Sequence, residues 1–308
     1  MKNWYVGVDG GGTKTEFAVS ASDGIPVATL RKQGCSYQSI GVEKATSLVI
    51  TGVTEILSMV NADKEDCAGL CVGMPCSGEN AEKDTVIMET LSSSLAPIPI
   101  HIVNDVEVGW AGALECHEGI HIVAGTGSIA FGCGRDNKTA RCGGWSEFFG
   151  DEGSCYWIGR EAMSLFTKEA DGRLPKGALY DLVCKEFSLT GDYRFVDTVI
   201  NELAPYRDRV AHFQVYARQA AEAGDQAVLA LYTAAAQELA LMVGALKEKL
   251  NFTPGTVDVS YTGGLFKAGD LILQPLRKMI SLLDGKLQEP RHKAVDGALI
   301  LAIEKFQS

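Results

Sequence analysis

Apolar and polar positions divide this chain into two passes of one pattern. The first opens over Trp4–Ser20, where WYVGVD and TEFAVS flank Gly10-Gly11-Gly12. Two strand-like runs joined by so much glycine predict a hairpin. Ile25–Lys32 predicts a third strand, entered through a turn at Asp23-Gly24, and Gly34–Gly41 reads as a polar loop facing a ligand. Helical spacing follows over Val42–Asn61. Then come a strand at Ala68–Met74, a helix over Glu79–Leu95, a strand at Ile98–Val103 and a helix over Glu107–Glu115. Such a βββαβα order predicts a mixed sheet with helices on its faces.

The pattern restarts about 115 residues on. Ile120–Gly134 again reads strand, glycine turn, strand, followed by a turn at Arg135–Lys138, and the predicted boundary falls near Cys116–Gly119. This gives domains over 1–117 and 118–308. The second pass is interrupted by helices: one after the glycine-rich Cys142–Ser154 loop through Thr167, then Ala178–Phe187, Asp192–Glu202 and Arg209–Glu222. Asp225 predicts the cap of a long apolar helix to Leu250, whose apolar girth implies burial. A strand at Val257–Tyr261 runs into Thr262-Gly263-Gly264. Helices over Ala268–Leu283 and Val295–Phe306 close the chain, the last one free to pack back on the first domain.

Composition narrows the class. The chain has 308 residues, 46% hydrophobic and 22% charged, enough for two globular cores. A net charge of −11 argues against nucleic acid and anionic membrane as partners, but leaves ATP open because a local glycine loop can hold an anion. The apolar runs predict no membrane span, and the N-terminus lacks a signal-peptide pattern. Nine scattered cysteines without a CxxC read as reduced thiols in the cytoplasm rather than metal ligands.

Free backbone N–H groups beside hydroxyls and a lysine make the opening hairpin a phosphate cradle. Gly7–Thr15 nearly matches the Walker pattern, but Thr13 separates Gly12 from Lys14 and a strand follows instead of a helix. Gly125–Ala130 fits the dinucleotide fingerprint GxGxxA, yet Gly132, Gly134 and the Asp136-Asn137 turn arrive where its helix belongs. What remains is a pair of hairpin phosphate loops, Asp9–Thr15 and Gly125–Ser128, with Gly263-Gly264 after a late strand. Their nucleotide-contacting candidates are Gly11, Gly12, Thr13, Lys14, Thr126, Gly127, Ser128, Gly263 and Gly264. Asp105, at the C-terminal end of a strand, is the candidate general base and also a candidate helix cap. Asp9 is the candidate Mg²⁺ residue. His101 and His121 lie within strands and read as packed.

Together DGGGTK, GTGS and TGG resemble the two phosphate motifs and the adenosine motif of the actin-like superfamily of sugar kinases and heat-shock chaperones. CGGW at Cys142–Trp145 with GDEGS at Gly150–Ser154 is similar to its N-acetylglucosamine kinase branch, which also holds the BadF/BadG-type ATPases. The resemblance covers essentially the whole chain. It implies an α/β fold of two ribonuclease-H-like, actin-like ATPase domains with a cleft between them. It also implies ATP- and Mg²⁺-dependent phosphorylation of the 6-hydroxyl of an amino sugar, closure of the two lobes to exclude water, and a homodimer. Asp105 matches the family's catalytic aspartate, and Asp9 the residue holding Mg²⁺ through water. Ser77, Gly144, Trp145 and Asp151 match the sugar pocket, with Ser36, Gln38 and Asn104 as further acceptor-side candidates. Ser36-Tyr37-Gln38-Ser39 lacks the asparagine that the family carries after its serine, so N-acetylglucosamine, glucosamine and N-acetylmuramic acid all stay open. Two rivals remain on this fold: an ATPase activating a 2-hydroxyacyl-CoA dehydratase or benzoyl-CoA reductase through a [4Fe–4S] cluster, and a non-catalytic sugar sensor. The first requires a motif not present here, and the second is disfavoured by Asp105.

Overall fold

The computed structural model describes residues 4–252 and 255–307. The chain divides into two compact units, residues 1–121 with 289–308, and residues 122–288.

The first unit opens with β1 (Trp4–Gly10), β2 (Lys14–Ser20) and β3 (Pro26–Gln33), an antiparallel meander. One helical turn, α1 (Tyr37–Ile40), leads to α2 (Val42–Ser58), followed by β4 (Cys67–Met74), α3 (Ala81–Ser94), β5 (Ile100–Asn104) and α4 (Asp105–Leu114). β4 runs parallel to β1, and β5 parallel to β4, which gives the order β3-β2-β1-β4-β5. β1 and β4 are buried for most of their length, which is why they read as near-continuous apolar runs rather than as clean alternation. The segment expected to be wholly loop at Gly34–Gly41 contains α1, because Tyr37 is buried and supplies an apolar anchor for that turn.

The second unit repeats the arrangement. β6 (Gly119–Ala124), β7 (Ser128–Cys133) and β8 (Thr139–Gly143) precede a helical stretch of α5 (Cys155–Ala170), α6 (Ala178–Glu186), α7 (Arg194–Thr198), α8 (Arg207–His212), α9 (Gln214–Glu222) and α10 (Gln226–Lys249). β9 (Val257–Thr262), α11 (Asp270–Leu282) and β10 (Gly285–Gln288) complete a sheet of order β10-β9-β6-β7-β8, the same path as the first read in reverse. Two of its strands differ from the sequence reading. β8 takes residues expected in the Cys142 loop, and β10 occupies a short polar stretch at the sheet's edge. The helix expected over Arg209–Glu222 is divided at Phe213, whose ring is buried. The helix expected over Asp192–Glu202 continues from α7 into a π turn over Val199–Leu203.

α10 is long and apolar enough to cross a bilayer, contrary to the expectation that no run reaches that length. It is the central helix of the second unit, however: Asp225 accepts from the Ala227 and Val228 N–H groups at 3.1 and 3.3 Å, and its buried face packs on α5, α9, α11, β7 and β8. The final helix, α12 (Ala294–Phe306), belongs to the first unit and packs on α4, β1 and β4. Gly112 of α4 and Gly297 of α12 let that pair meet backbone to backbone. A methyl group on Gly297 would lie 2.1 Å from the Val108 carbonyl oxygen and 2.2 Å from the Gly112 nitrogen.

Candidate active site

In the first unit, register places Asp9 of β1 opposite Glu16 of β2 and Gly73 of β4. Directly opposed strand residues project from the same face, so Asp9 and Glu16 share one side of the sheet. Burial first, then Asp105, then Glu16 push the Asp9 carboxyl up to about 7, partly relieved by Lys14. Lys14 itself pairs with Glu16 at 2.8 Å and is part-exposed, so its charge serves the two acids of the hairpin.

The glycine turn between β1 and β2 is braced from below. The Cys35 N–H donates to the Gly11 carbonyl at 3.0 Å, and the Thr15 hydroxyl donates to the Gln33 carbonyl at 2.9 Å. Gly34 approaches so closely that a methyl group there would lie 2.1 Å from the Gly12 carbonyl oxygen. Above this support, Gly12 and Thr13 are exposed and a side chain on Gly12 would meet nothing. A rigid turn with an open backbone suits an anion.

Asp105 is the first residue of α4, directly after β5. The cap expected of it belongs to Asn104, whose Oδ1 accepts from the Val106 N–H at 3.2 Å. Asn104 Nδ2 donates to the Ser77 carbonyl at 2.7 Å, tying the helix start to the loop after β4. Asp105 is thus held in the first helical turn, where the helix dipole favours a carboxylate. Asp9 and Asp105 both offer carboxylate oxygens, the hard donors that Mg²⁺ takes, and a cation bound there would relieve the burial and repulsion that raise Asp9. Among the described residues no group of three or more His, Cys, Asp or Glu could hold a metal ion.

The neighbouring acceptor-side candidates form one cluster. The Tyr37 hydroxyl donates to the Cys76 carbonyl at 2.8 Å, and Gln38 Nε2 donates to Glu79 at 3.2 Å, so the α1 turn is fastened to the loop carrying Ser77. Ser36 is buried and touches the Cys76 thiol, which burial, then Glu79 and Asp105, push up to about 11. All nine cysteines are free thiols. His121 is fully buried and pushed down to about 3 by that burial, and His101 is lowered for the same reason, so both are neutral packing groups.

In the second unit the β6–β7 turn is closed by the Gly125 N–H donating to the Gly127 carbonyl at 2.9 Å. The start of α5 holds it, because Cys155 and Tyr156 N–H groups donate to the Gly125 and Thr126 carbonyls at 2.8 and 3.3 Å. Thr126 is exposed and faces outward, whereas Gly127 is half-buried against Asp151 and Arg207. Ser128 is buried: its hydroxyl donates to the Glu152 carbonyl at 2.7 Å and its N–H donates to Asp151 Oδ1 at 3.3 Å. The loop after β9 lies against the same turn, since a methyl group on Gly263 would meet the Ala124 carbonyl oxygen at 2.1 Å. Gly264 leaves open space.

Asp151, expected to line a sugar pocket, is only 3% exposed and ion-pairs with Arg207. Gly144 donates its N–H to the Ser128 carbonyl at 2.9 Å, whereas Trp145 next to it is 71% exposed. Arg207 was not among the residues expected here. It starts α8, 56 positions after its partner, in a stretch with no motif, and only the fold brings the two together.

Two sheets with one strand order, each begun by a hairpin with a supported glycine turn, define an α/β fold built by duplication around phosphate-type loops. The chain belongs to the BadF/BadG/BcrA/BcrD ATPase family, whose pattern matches residues 6–302. It is similar to an N-acetylmuramic acid/N-acetylglucosamine kinase of Clostridium acetobutylicum, 28% identical over 302 residues that cover 97% of this chain and 98% of that one. An N-acetyl-D-glucosamine kinase of Dictyostelium discoideum is 27% identical over 290 residues, covering 91% and 90%. Among solved structures, a candidate N-acetylglucosamine kinase of Chromobacterium violaceum superposes with a TM-score of 0.75 at 24% identity, covering 97% and 98%, and shares the actin-like fold.

Proposed function

We propose that the protein is an ATP-dependent kinase of amino sugars that phosphorylates the 6-hydroxyl. The observation that carries this reading is Asp105, fixed at a strand end by the Asn104 cap, with Asp9 in its electrostatic field. Relatives named as kinases of N-acetylmuramic acid and N-acetylglucosamine support the same substrate class. Asp105 accepts the proton of the attacking hydroxyl. The Gly11–Thr13 backbone in the first unit, and Thr126, Gly127 and Gly264 in the second, are each unit's candidates for holding phosphate and nucleotide, and Ser36, Ser77 and Asn104 of the first unit those for the acceptor. Asp9 would hold Mg²⁺ beside the ATP that donates the phosphoryl group, and the ion would neutralise part of the phosphate charge. The reading carries a cytoplasmic homodimer with it.

The test is ADP release measured across glucosamine, N-acetylglucosamine, N-acetylmuramic acid, N-acetylmannosamine and glucose. At least one amino sugar raises ADP release well above the sugar-free rate and above glucose. If none does, the reading fails.

Asp9 gives a second expectation, independent of turnover. Its carboxyl is raised from 3.8 to about 7. Below both values folded and unfolded chains are equally protonated there. As pH rises from 4 to 7 the unfolded chain releases this proton first, so stability falls and the full penalty stands above 7. Without added metal, Asp9→Asn is more stable than the parent at pH 8 by on the order of 2–4 kcal/mol, and melts higher accordingly. The gap closes toward pH 4. A gap that does not change with pH in thermal melts contradicts the assignment.

A further inference from the structure

Arg207 holds two carboxylates of one loop: its Nε lies 3.3 Å from Glu147 Oε2, and its Nη2 pairs with Asp151 Oδ2. Asp151 sits in the left-handed region at φ 59°, and its other oxygen receives the Ser128 N–H at 3.3 Å. The pair also lies directly on the glycine turn. A methyl group built on Gly127 would be 2.8 Å from Arg207 Nη2 and 2.9 Å from both Asp151 oxygens. A nearly buried carboxylate therefore sits against a turn whose backbone is shaped for phosphate. Left unpaired, it would repel that ligand and lose its own solvation.

We infer that Arg207 is a positioning residue for the Gly125–Ser128 turn: it neutralises Asp151 and holds it against the Ser128 N–H, so that the turn can receive phosphate. The helical stretch of the second unit thereby sets the nucleotide affinity of a loop about 80 residues earlier in the chain. The inference rests on the kinase reading for the identity of the ligand. Its geometry stands within the second unit alone.

The experiment is MgATP titration by calorimetry without sugar, combined with hydrogen exchange over residues 125–128. Arg207→Ala weakens MgATP binding by about tenfold or more and speeds exchange at Ser128. Arg207→Lys, which keeps the charge, loses less. Arg207→Ala combined with Asp151→Asn recovers affinity to within about threefold of the parent, because a neutral amide no longer repels phosphate. A purely structural clamp would not be rescued this way. Should Arg207→Ala fail to fold, Arg207→Gln keeps much of the side chain's bulk and is read by the same measurements. Parent-like affinity in the charge-removing variant, or a double variant as weak as the single, overturns the inference. If the parent binds no MgATP, the kinase reading falls. Exchange then decides the holding role alone, and unchanged exchange at 125–128 overturns it.

Discussion

Asp105→Asn folds normally and turns over about 10²–10⁴ times more slowly than the parent. The substitution is close to isosteric, and the helix start survives because Asn104, not Asp105, caps α4. What it removes is the proposed acceptor for the hydroxyl proton and one of the charges acting on Asp9. The loss therefore falls on kcat more than on the KM for either substrate. A thermal melt separates loss of chemistry from loss of fold. With the Asp105 charge gone, Asp9 ionises more readily, so the variant melts at least as high as the parent above pH 7. Parent-like ADP release from Asp105→Asn would refute its assignment as the base.

The largest effect on stability is expected at the α4–α12 crossing. Gly297→Val drives its side chain into the Val108 carbonyl and the Gly112 nitrogen. Both obstacles are backbone, so no rotamer change relieves the overlap, and α12 must move off α4. Val295, Ala298, Leu299 and Ala302, all buried, lose their packing with it. A loss of about 3 kcal/mol or more follows, confined to the first unit. Gly244→Ala in α10 is the control. Its nearest contact would be Leu283 at 3.8 Å, so the added methyl fits, and helix propensity predicts a change between neutral and about 1 kcal/mol stabilising. Denaturant unfolding of both variants checks the pair. Equal midpoints for Gly297→Val and the parent would show that the crossing tolerates what its geometry forbids.

Legibility in the sequence followed the range of the interactions. The hairpins around Gly10–Gly12 and Gly125–Gly127 were readable because turn chemistry is local and both flanking strands are apolar. β8 and β10 were not, since edge strands carry polar residues: TARCG and GKLQ offer no core-facing pattern strong enough to announce them. Asp105 was legible as a strand-end acid, but the cap expected of it falls to Asn104, because the two are equally good caps by type and backbone geometry decides between them. Ser128 and Asp151 were singled out for ligand contact by motif, yet each spends hydrogen-bonding capacity inside the protein. Arg207 could not be found at all, because nothing local marks a residue whose partner is so distant in the chain.

The return of α12 to the first unit also has a consequence on the ribosome. Residues 122–288 form a contiguous unit that can close as soon as it emerges, but the earlier unit lacks α12 until residues 289–308 have been made. At bacterial-type elongation speeds that wait is on the order of 10–40 s. During it the surface of β1 and α4 that α12 later covers is open to chaperones and to other nascent chains. A truncation that removes α12 would therefore injure the part of the protein that was made first.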